Sequence, residues 1–559
     1  MKNSSVALVA SAVVLCACAV EVTDETSSPL SYNPPINEQT FTVRVQSTTN
    51  VSNVELMVPG VGIDVMSPVG NDLYEGSLPL ATCPTVAEFE VEVTTTNLFG
   101  SDTNTYPEAG LFAHQITGGP DECAEFADGV AQTFIVDRTE DFPDFIVGNG
   151  TCAGVIDGEL GCSLRAAVME ANAKPGNDLI LVPVSRFTLT RLESGVFVES
   201  GNGIEDAVLD LDITESVTIR GVGGTTRDVW DFFIESNQRT ENLRDNPNNN
   251  FTFAKIDGNG IDRIFQVSGT GVVLRLENIA LVNGSADGPG GAILNDGTLV
   301  MERVAIADSE VTKPQTPQIG GGAIHNNGLL VANDIALTQN TAGGDVNNPR
   351  GGALVNDGTA TIRRALIAYN DARFGNAIYN EADGVLTLEN ATVHDHKWDG
   401  GNPVSVVSNA GQMDLAFVTL SDNSISEARD LLRNITGGTM TLRNTLMIRN
   451  TANHCAGTIA SSGGNVTDAS CGLSGNGTTN DHIDVALAAF GALDLRGGFT
   501  PVYPFSKPSS GSSLFDPTDE ATSLSYPFWD QRGEGFDRRV DADGDGARIP
   551  DPGAWEYTP

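Results

Sequence analysis

The centre of the chain repeats itself. GGAILNDGTLVMERVAI (290–306), GGAIHNNGLLVANDIAL (321–337), GGALVNDGTATIRRALI (351–367) and GNAIYNEADGVLTLENATV (375–393) align on a single Asn. VVSNAGQMDLAFVTL (406–420) and LLRNITGGTMTLRNTLM (431–447) follow as weaker copies. The shared residue falls at Asn295, Asn326, Asn356, Asn380, Asn409 and Asn434, at intervals of 24 to 31 residues. That period is one supersecondary unit per repeat, with length variation in a loop. A unit this short cannot bury an apolar face alone, so neighbouring copies must stack to make one core.

The register inside the repeat says what stacks. Ile293, Ile324, Leu354, Ile378, Val407 and Leu432 share one aliphatic slot, which faces the core. Two further strands repeat apolar slots, beginning at 299/301 and 304/306 in the first copy. Three short strands per repeat describe a coil of triangular section, and coils spaced by about 4.8 Å pair in parallel as a β-helix. The six recurring Asn read as a structural ladder, because Asn tolerates a left-handed turn and its amide can bond the copies above and below. A second polar slot (Ser309, Asn340, Asn370, His396, Asn423, Asn450) ends the third strand. His396 is one of that series, so HDH at 394–396 reads as turn material and not as a metal site.

One helix is expected upstream. In CSLRAAVMEANA, Leu164, Ala167, Val168 and Ala171 fall on one helical face, Ser163 is the N-cap, and Lys174-Pro175-Gly176 ends the helix. The first coil of a stack has an open end of unpaired strand and apolar side chains. An amphipathic helix near 163–173 would cover it. Further upstream, alternating runs such as FTVRVQ, VELMV and FEVEV, broken by Gly, Asn and Pro, predict a small antiparallel sandwich of immunoglobulin-like form over 39–130, serving as a spacer. The expected order is a signal segment (1–17), a polar tether (18–38), the sandwich, the β-helix (131–455) and a C-terminal cap (456–559). The fold class is all-β.

The first residues are a targeting segment, with Lys2 supplying charge and Val6 to Leu15 too short an apolar stretch to span a bilayer. Leu15-Cys16-Ala17-Cys18 resembles the bacterial lipobox, which implies lipid on Cys18. Ala19 after that Cys resembles lipoproteins sorted to the outer membrane, and the expected location is the cell envelope, facing outward. Beyond Cys18 six cysteines remain: Cys83, Cys123, Cys152, Cys162, Cys455 and Cys471. In an exported chain they suggest three disulfides among 15 possible pairings. Proximity favours Cys152–Cys162 and Cys455–Cys471, leaving Cys83–Cys123. Closing the loop from Cys455 to Cys471 contributes about 3 kcal/mol by constraining the unfolded chain.

Asp and Glu outnumber Lys and Arg by 73 to 31, for a net charge of −42. Such a surface repels phosphate backbones, which argues against nucleic-acid binding. It equally repels polyuronates and sulfated glycans unless a cation bridges them.

CSLRAAVMEANAKPGNDLILVP resembles the CSLREA domain of bacterial surface proteins, which opens a right-handed parallel β-helix with such a helix, although Ala166 stands where that motif has Glu. The GGAI-x-N copies resemble pectate-lyase-like β-helices. The C-terminal third, with Cys455, GGNVTDASC (463–471), GGFTPVYPFSKPSSGSSLFD (497–516) and DPGAWE (551–556), is similar to the choice-of-anchor Q domain. That resemblance implies a bond between Cys455 and Cys471. It implies location and fold far more than chemistry.

Enzymes of β-helical form place substrate over an outward strand face. The outward slot beside the Asn ladder holds Leu294, His325, Val355, Tyr379, Ser408 and Arg433, and its neighbour holds Ala292, Ala323, Ala353, Ala377, Val406 and Leu431. Neither has the carboxyl pair that glycoside hydrolysis needs. His325, Tyr379 and Arg433 instead suit contact with a glycan chain. In DADGDG, Asp541, Asp543 and Asp545 occupy the first ligand positions of a calcium loop, but Pro552 stands at the twelfth, so Ca2+ is expected only with help from Asp551 or Glu534. The sequence therefore reads as a lipid-anchored, non-enzymatic surface protein for adhesion or glycan contact, with polysaccharide or a host or neighbour surface as partner. The alternative is a polysaccharide lyase or glycoside hydrolase with loop-borne residues.

Overall fold

A computed structural model describes residues 20–24, 30–31, 38–47, 50–58, 62–70, 72–79, 86–97, 100–106, 112–117, 132–156, 159–190, 210–222, 254–312, 320–343, 349–396, 404–424, 429–451, 453–475, 481–483, 493, 496, 499–502, 529–533, 536, 538 and 551–555. The chain divides into two compact units, with the boundary after Gly118.

The first unit is two mainly antiparallel sheets, one of four strands and one of six. Alternation buries Phe41, Val43 and Val45 from Glu38–Ser47, Val54 and Leu56 from Asn50–Val58, and Val91 and Val93 from Val86–Asn97. The expected tether at 18–38 is partly wrong. Val20–Asp24 is a strand, paired antiparallel with Glu38–Ser47, because VEVTD alternates as its partner does.

The second unit is a parallel β-solenoid of about seven turns. Each turn contributes a short strand, such as Ile293–Asn295, and a long one, such as Thr298–Ala307. The long strands build a 17-stranded sheet and the short ones a nine-stranded sheet. The second and third strands read from the sequence are thus one strand, bent in the middle. The bend is a residue in the left-handed region: Asn278, Arg303, Asp334, Arg364, Asn390, Phe417 and Asn444, one per coil, all with φ between 47° and 54°. A second left-handed series, running from Asn283 to Arg449 through Asp308, Gln339, Tyr369, Asp395 and Asp422, ends each long strand. Neither series is the Asn ladder.

The ladder itself is held by its amides. Asn295 Nδ2 donates to Asn326 Oδ1 (2.6 Å), and the pattern continues through Asn356 (2.7 Å), Asn380 (2.7 Å), Asn409 (2.8 Å) and Asn434 (2.8 Å). None of these residues has positive φ, so the amide stacking accounts for the Asn and the left-handed turn does not. The polar slot at the end of the third strand is a second ladder. Backbone N–H groups of Ser309, Asn340, His396 and Asn423 donate to the side-chain Oδ1 of Asn340, Asn370, Asn423 and Asn450 one coil on, at 2.9 to 3.1 Å.

Leu164–Asn172 is the helix read from the sequence, and Leu164, Ala167, Val168 and Ala171 all join the solenoid core. Ser163 Oγ accepts from Ala166 N–H at 3.1 Å. Asn172 ties the helix to the first coil, donating to Asp212 O at 2.7 Å and accepting from Thr214 N–H at 2.9 Å. Arg165 is buried and pairs with Asp141 at 2.7 Å. The disulfides Cys152–Cys162 and Cys455–Cys471 are both formed, with Cα–Cα distances of 5.1 and 5.0 Å. Cys18, Cys83 and Cys123 lie outside the described residues.

The C-terminal segment departs from the expected cap. Parallel pairing continues past Cys455 through Ile459–Ser461, Val466–Thr467 and His482–Ile483, because Ile459 and Val466 keep the apolar slots filled. Residues 499–502, 529–533, 536, 538 and 551–555 then lie along the side of the coils. Phe499 joins the cluster formed by Ala280, Ala305, Ala336, Leu366 and Ala368 on the outside of the third-strand stretch. Ala554 N–H donates to Thr419 Oγ1 (2.9 Å), and a Cβ on Gly553 would meet that same oxygen at 2.7 Å, so only glycine allows this approach.

Candidate site on the short-strand side

The outward slots of the short strand are not the open face the sequence suggested. Ala292, Ala323, Ala353 and Ala377 are fully buried in the core beside Ile293 and its equivalents. Gly290, Gly321, Gly351 and Gly375 have φ between 56° and 77°, which bends the incoming chain so that two consecutive side chains point inward. The same incoming stretch lies over the next slot. Gly320, Arg350 and Phe374 form parallel bridges to one another along the axis. Beneath them His325 is 9% exposed, Val355 0% and Tyr379 5%. Tyr379 is therefore no stacking platform for sugar, and neither it nor His325 stands on the surface.

What reaches solvent is a set of ion pairs above that slot. The Arg350 guanidinium sits 4.5 Å from the Tyr379 ring centroid and pairs with Glu381. Tyr379, Ser408 and Arg433 are successive ladder partners, and Arg433 pairs with Asp430 at 3.3 Å. The Arg433 side chain is 44% exposed, against 19% for Arg350, 17% for Glu381 and 16% for Asp430. Burial raises the carboxyls of Glu381 and Asp430, with their arginines opposing it. Burial also raises the Tyr379 phenol and lowers His325, which stays neutral. Asp296, Asn327 and Asp357 continue the surface at the turn beyond the ladder, all exposed, and Asn327 Nδ2 donates to Asp296 Oδ1 at 2.7 Å. Arg350 and Glu381 escaped the sequence reading because it compared strand positions only. Both flank the strand, and the position of Arg350, just before the paired residues that open each copy, holds Gly320 and Phe374 in its neighbours and so carries no shared residue type.

A second polar row lies at the end of the long strands. Tyr369 Oη is 3.3 Å from His394 Nε2, His394 Nδ1 faces Ser421 O at 3.3 Å, and Asp422 pairs with Arg449 at 2.7 Å. Since Nδ1 faces a carbonyl it carries the proton, and Tyr369 donates to Nε2. His396, two residues on, is fully buried in the second ladder between Asn370 (3.4 Å) and Asn423 (3.0 Å). Burial holds its pKa down at about 3. An unfolded His titrates near 6.5, so between those values the unfolded chain binds the extra proton. The stabilisation from keeping His396 neutral is complete above pH 6.5 and falls away toward pH 3. At pH 5 the loss is roughly 2 kcal/mol. His396→Asn restores the residue type of the other coils and is expected to reduce the drop in melting temperature between pH 7 and pH 5. An equal drop in both proteins would contradict this origin.

Among the described residues, no group of three or more His, Cys, Asp or Glu side chains is placed to hold a metal ion. Asp541, Asp543, Asp545 and Glu534 lie outside the described residues. Asp551 is buried in the C-terminal segment, where its carbonyl accepts from Arg538 at 3.1 Å.

No known family, curated protein or solved structure matches this chain.

Proposed function

We propose that this chain is an envelope-anchored β-solenoid protein, held by lipid on Cys18, that contacts polysaccharide without turning it over. The two ion pairs of the short-strand side, Arg350–Glu381 and Arg433–Asp430, carry the reading. They present guanidinium donors and carboxylate acceptors in fixed register along the solenoid axis. Groups held rigidly by neighbours bind at lower entropic cost than mobile ones. Lipid on Cys18 is tested by labelling with a radioactive fatty acid: label lost in Cys18→Ser supports the anchor, and label retained refutes it. For contact, the protein lacking residues 1–18 is offered a panel of polysaccharides. Binding without product, weakened by Arg350→Ala and Arg433→Ala, is the expected outcome.

The alternative, a polysaccharide lyase or hydrolase, has the Tyr369–His394 pair in its favour, since a phenol hydrogen-bonded to an imidazole can pass a proton along that bond. Unsaturated or reducing ends released by the protein and lost in Tyr369→Phe would replace the non-enzymatic reading with this one.

A further inference from the structure

We infer that the short-strand side takes an uncharged polysaccharide, and not a polyuronate or sulfated one. This rests on the polysaccharide-contact reading and sharpens it. A site for an anionic polymer keeps cations available to it, because guanidinium groups recognise carboxylate and sulfate by paired hydrogen bonds. Here the arginines of both ion pairs already have carboxylates, and Arg429, next to Asp430 in the chain, acts on that same carboxyl. Arg350 is paired with Glu381 and laid over Tyr379, and Arg433 is paired with Asp430. The surface nearby adds exposed Asp296 and Asp357, and His325 beneath it is buried. An anionic chain would have to displace a carboxylate from its arginine, on a protein of net charge −42. An uncharged chain meets neither cost. Its hydroxyls can donate to the carboxylates and accept from the guanidinium N–H groups left over, since a guanidinium has five.

The pairs are also spaced for a polymer. Arg350, Phe374, Ser405 and Asp430 are consecutive neighbours along the axis, three steps of about 4.8 Å each. A disaccharide reaches one pair, whereas a longer chain along the axis reaches both.

The test is binding of the protein lacking residues 1–18 to xylan, mannan and mixed-linkage glucan on one side, and to polygalacturonate, alginate and heparin on the other. Each is measured at low salt and at about 0.5 M NaCl, where the screening length falls to a few ångströms. The expected result is binding to at least one neutral polymer that changes less than about twofold with salt, whereas simple charge pairing would be screened away. That binding should fall at least about tenfold, the equivalent of 1.4 kcal/mol, in the Arg350→Ala/Arg433→Ala double variant. Anionic binding that weakens with salt would overturn the inference and leave the contact reading standing. Neutral binding indifferent to the double variant would also overturn it, by placing the contact elsewhere. No binding to any polymer would remove both.

Discussion

Replacing Asn356 by Asp is expected to destabilise the solenoid more than replacing it by Ala. Asn356 is fully buried and uses its amide completely. Its Nδ2 donates to Asn380 Oδ1 (2.7 Å), Gly358 O (3.0 Å) and Val385 O (3.2 Å), while its Oδ1 accepts from Asn326 Nδ2 (2.7 Å). Alanine removes these bonds and leaves the partners buried. A stranded buried polar group costs about 1–3 kcal/mol, so a total of roughly 3–5 kcal/mol is expected. Aspartate keeps the acceptor but has no donor. It sets a charge against three oxygens in a site without water, a cost larger than the loss of the bonds. The two variants differ in pH response as well. Acidification protonates the aspartate and returns a donor, so Asn356→Asp should regain stability relative to Asn356→Ala as pH falls toward 4. Thermal melts of both at pH 7 and pH 4 check the order and the crossover; Asp no worse than Ala at pH 7 would mean the ladder does not depend on its donors.

Arg538→Ala is expected to free the C-terminal segment while leaving the coils folded. The guanidinium is fully buried, 4.3 Å from the Phe417 ring centroid. Its N–H groups reach Asn390 Oδ1 (2.7 Å), Asp551 O (3.1 Å) and Gly553 O (2.8 Å). Removing it leaves these acceptors without a donor, and breaking a buried charged contact of this kind costs about 3–5 kcal/mol. Because solenoid coils contact mainly their neighbours, the loss stays local. Hydrogen exchange should rise at 529–533 and 551–555 with little change at 293–307. Arg538→Lys keeps the charge but not the fork of donors and should fall between. Unchanged exchange at 551–555 in the alanine variant would show that Arg538 does not hold the segment.

The solenoid was legible where a single residue type recurs for a single reason. Asn295 through Asn434 and the aliphatic slot at Ile293 announce the coil because every copy meets the same neighbours. The left-handed bends were hidden, since Arg303, Arg364 and Phe417 occupy a position that a turn signal would assign to Gly or Asn. At those three coils the neighbours impose the conformation, whereas at Asn278, Asp334, Asn390 and Asn444 the residue type itself favours it. Strict alternation also failed at Ala292 and Ala323, where Gly290 and Gly321 break the period of two. His325 and Tyr379 were misplaced on the surface for another reason: the incoming stretch that lies over their slot leaves no mark in the strand pattern. How the C-terminal segment packs could not be read, because its contacts join residues as far apart as Asn390 and Arg538, 148 positions, and periodicity carries no such information. The candidate patch was half visible, with Arg433 in an aligned strand slot and Arg350 just before its strand, at a position whose residue type changes from coil to coil.

The most direct measurement is hydrogen exchange of the protein lacking residues 1–18, with and without a saturating neutral polysaccharide. Slowed exchange at 349–352, 378–381 and 430–434, with residues 529–533 and 551–555 unchanged, is the predicted outcome. Protection confined to the side beneath the C-terminal segment, or none anywhere, would contradict the assignment of the short-strand side as the contact surface.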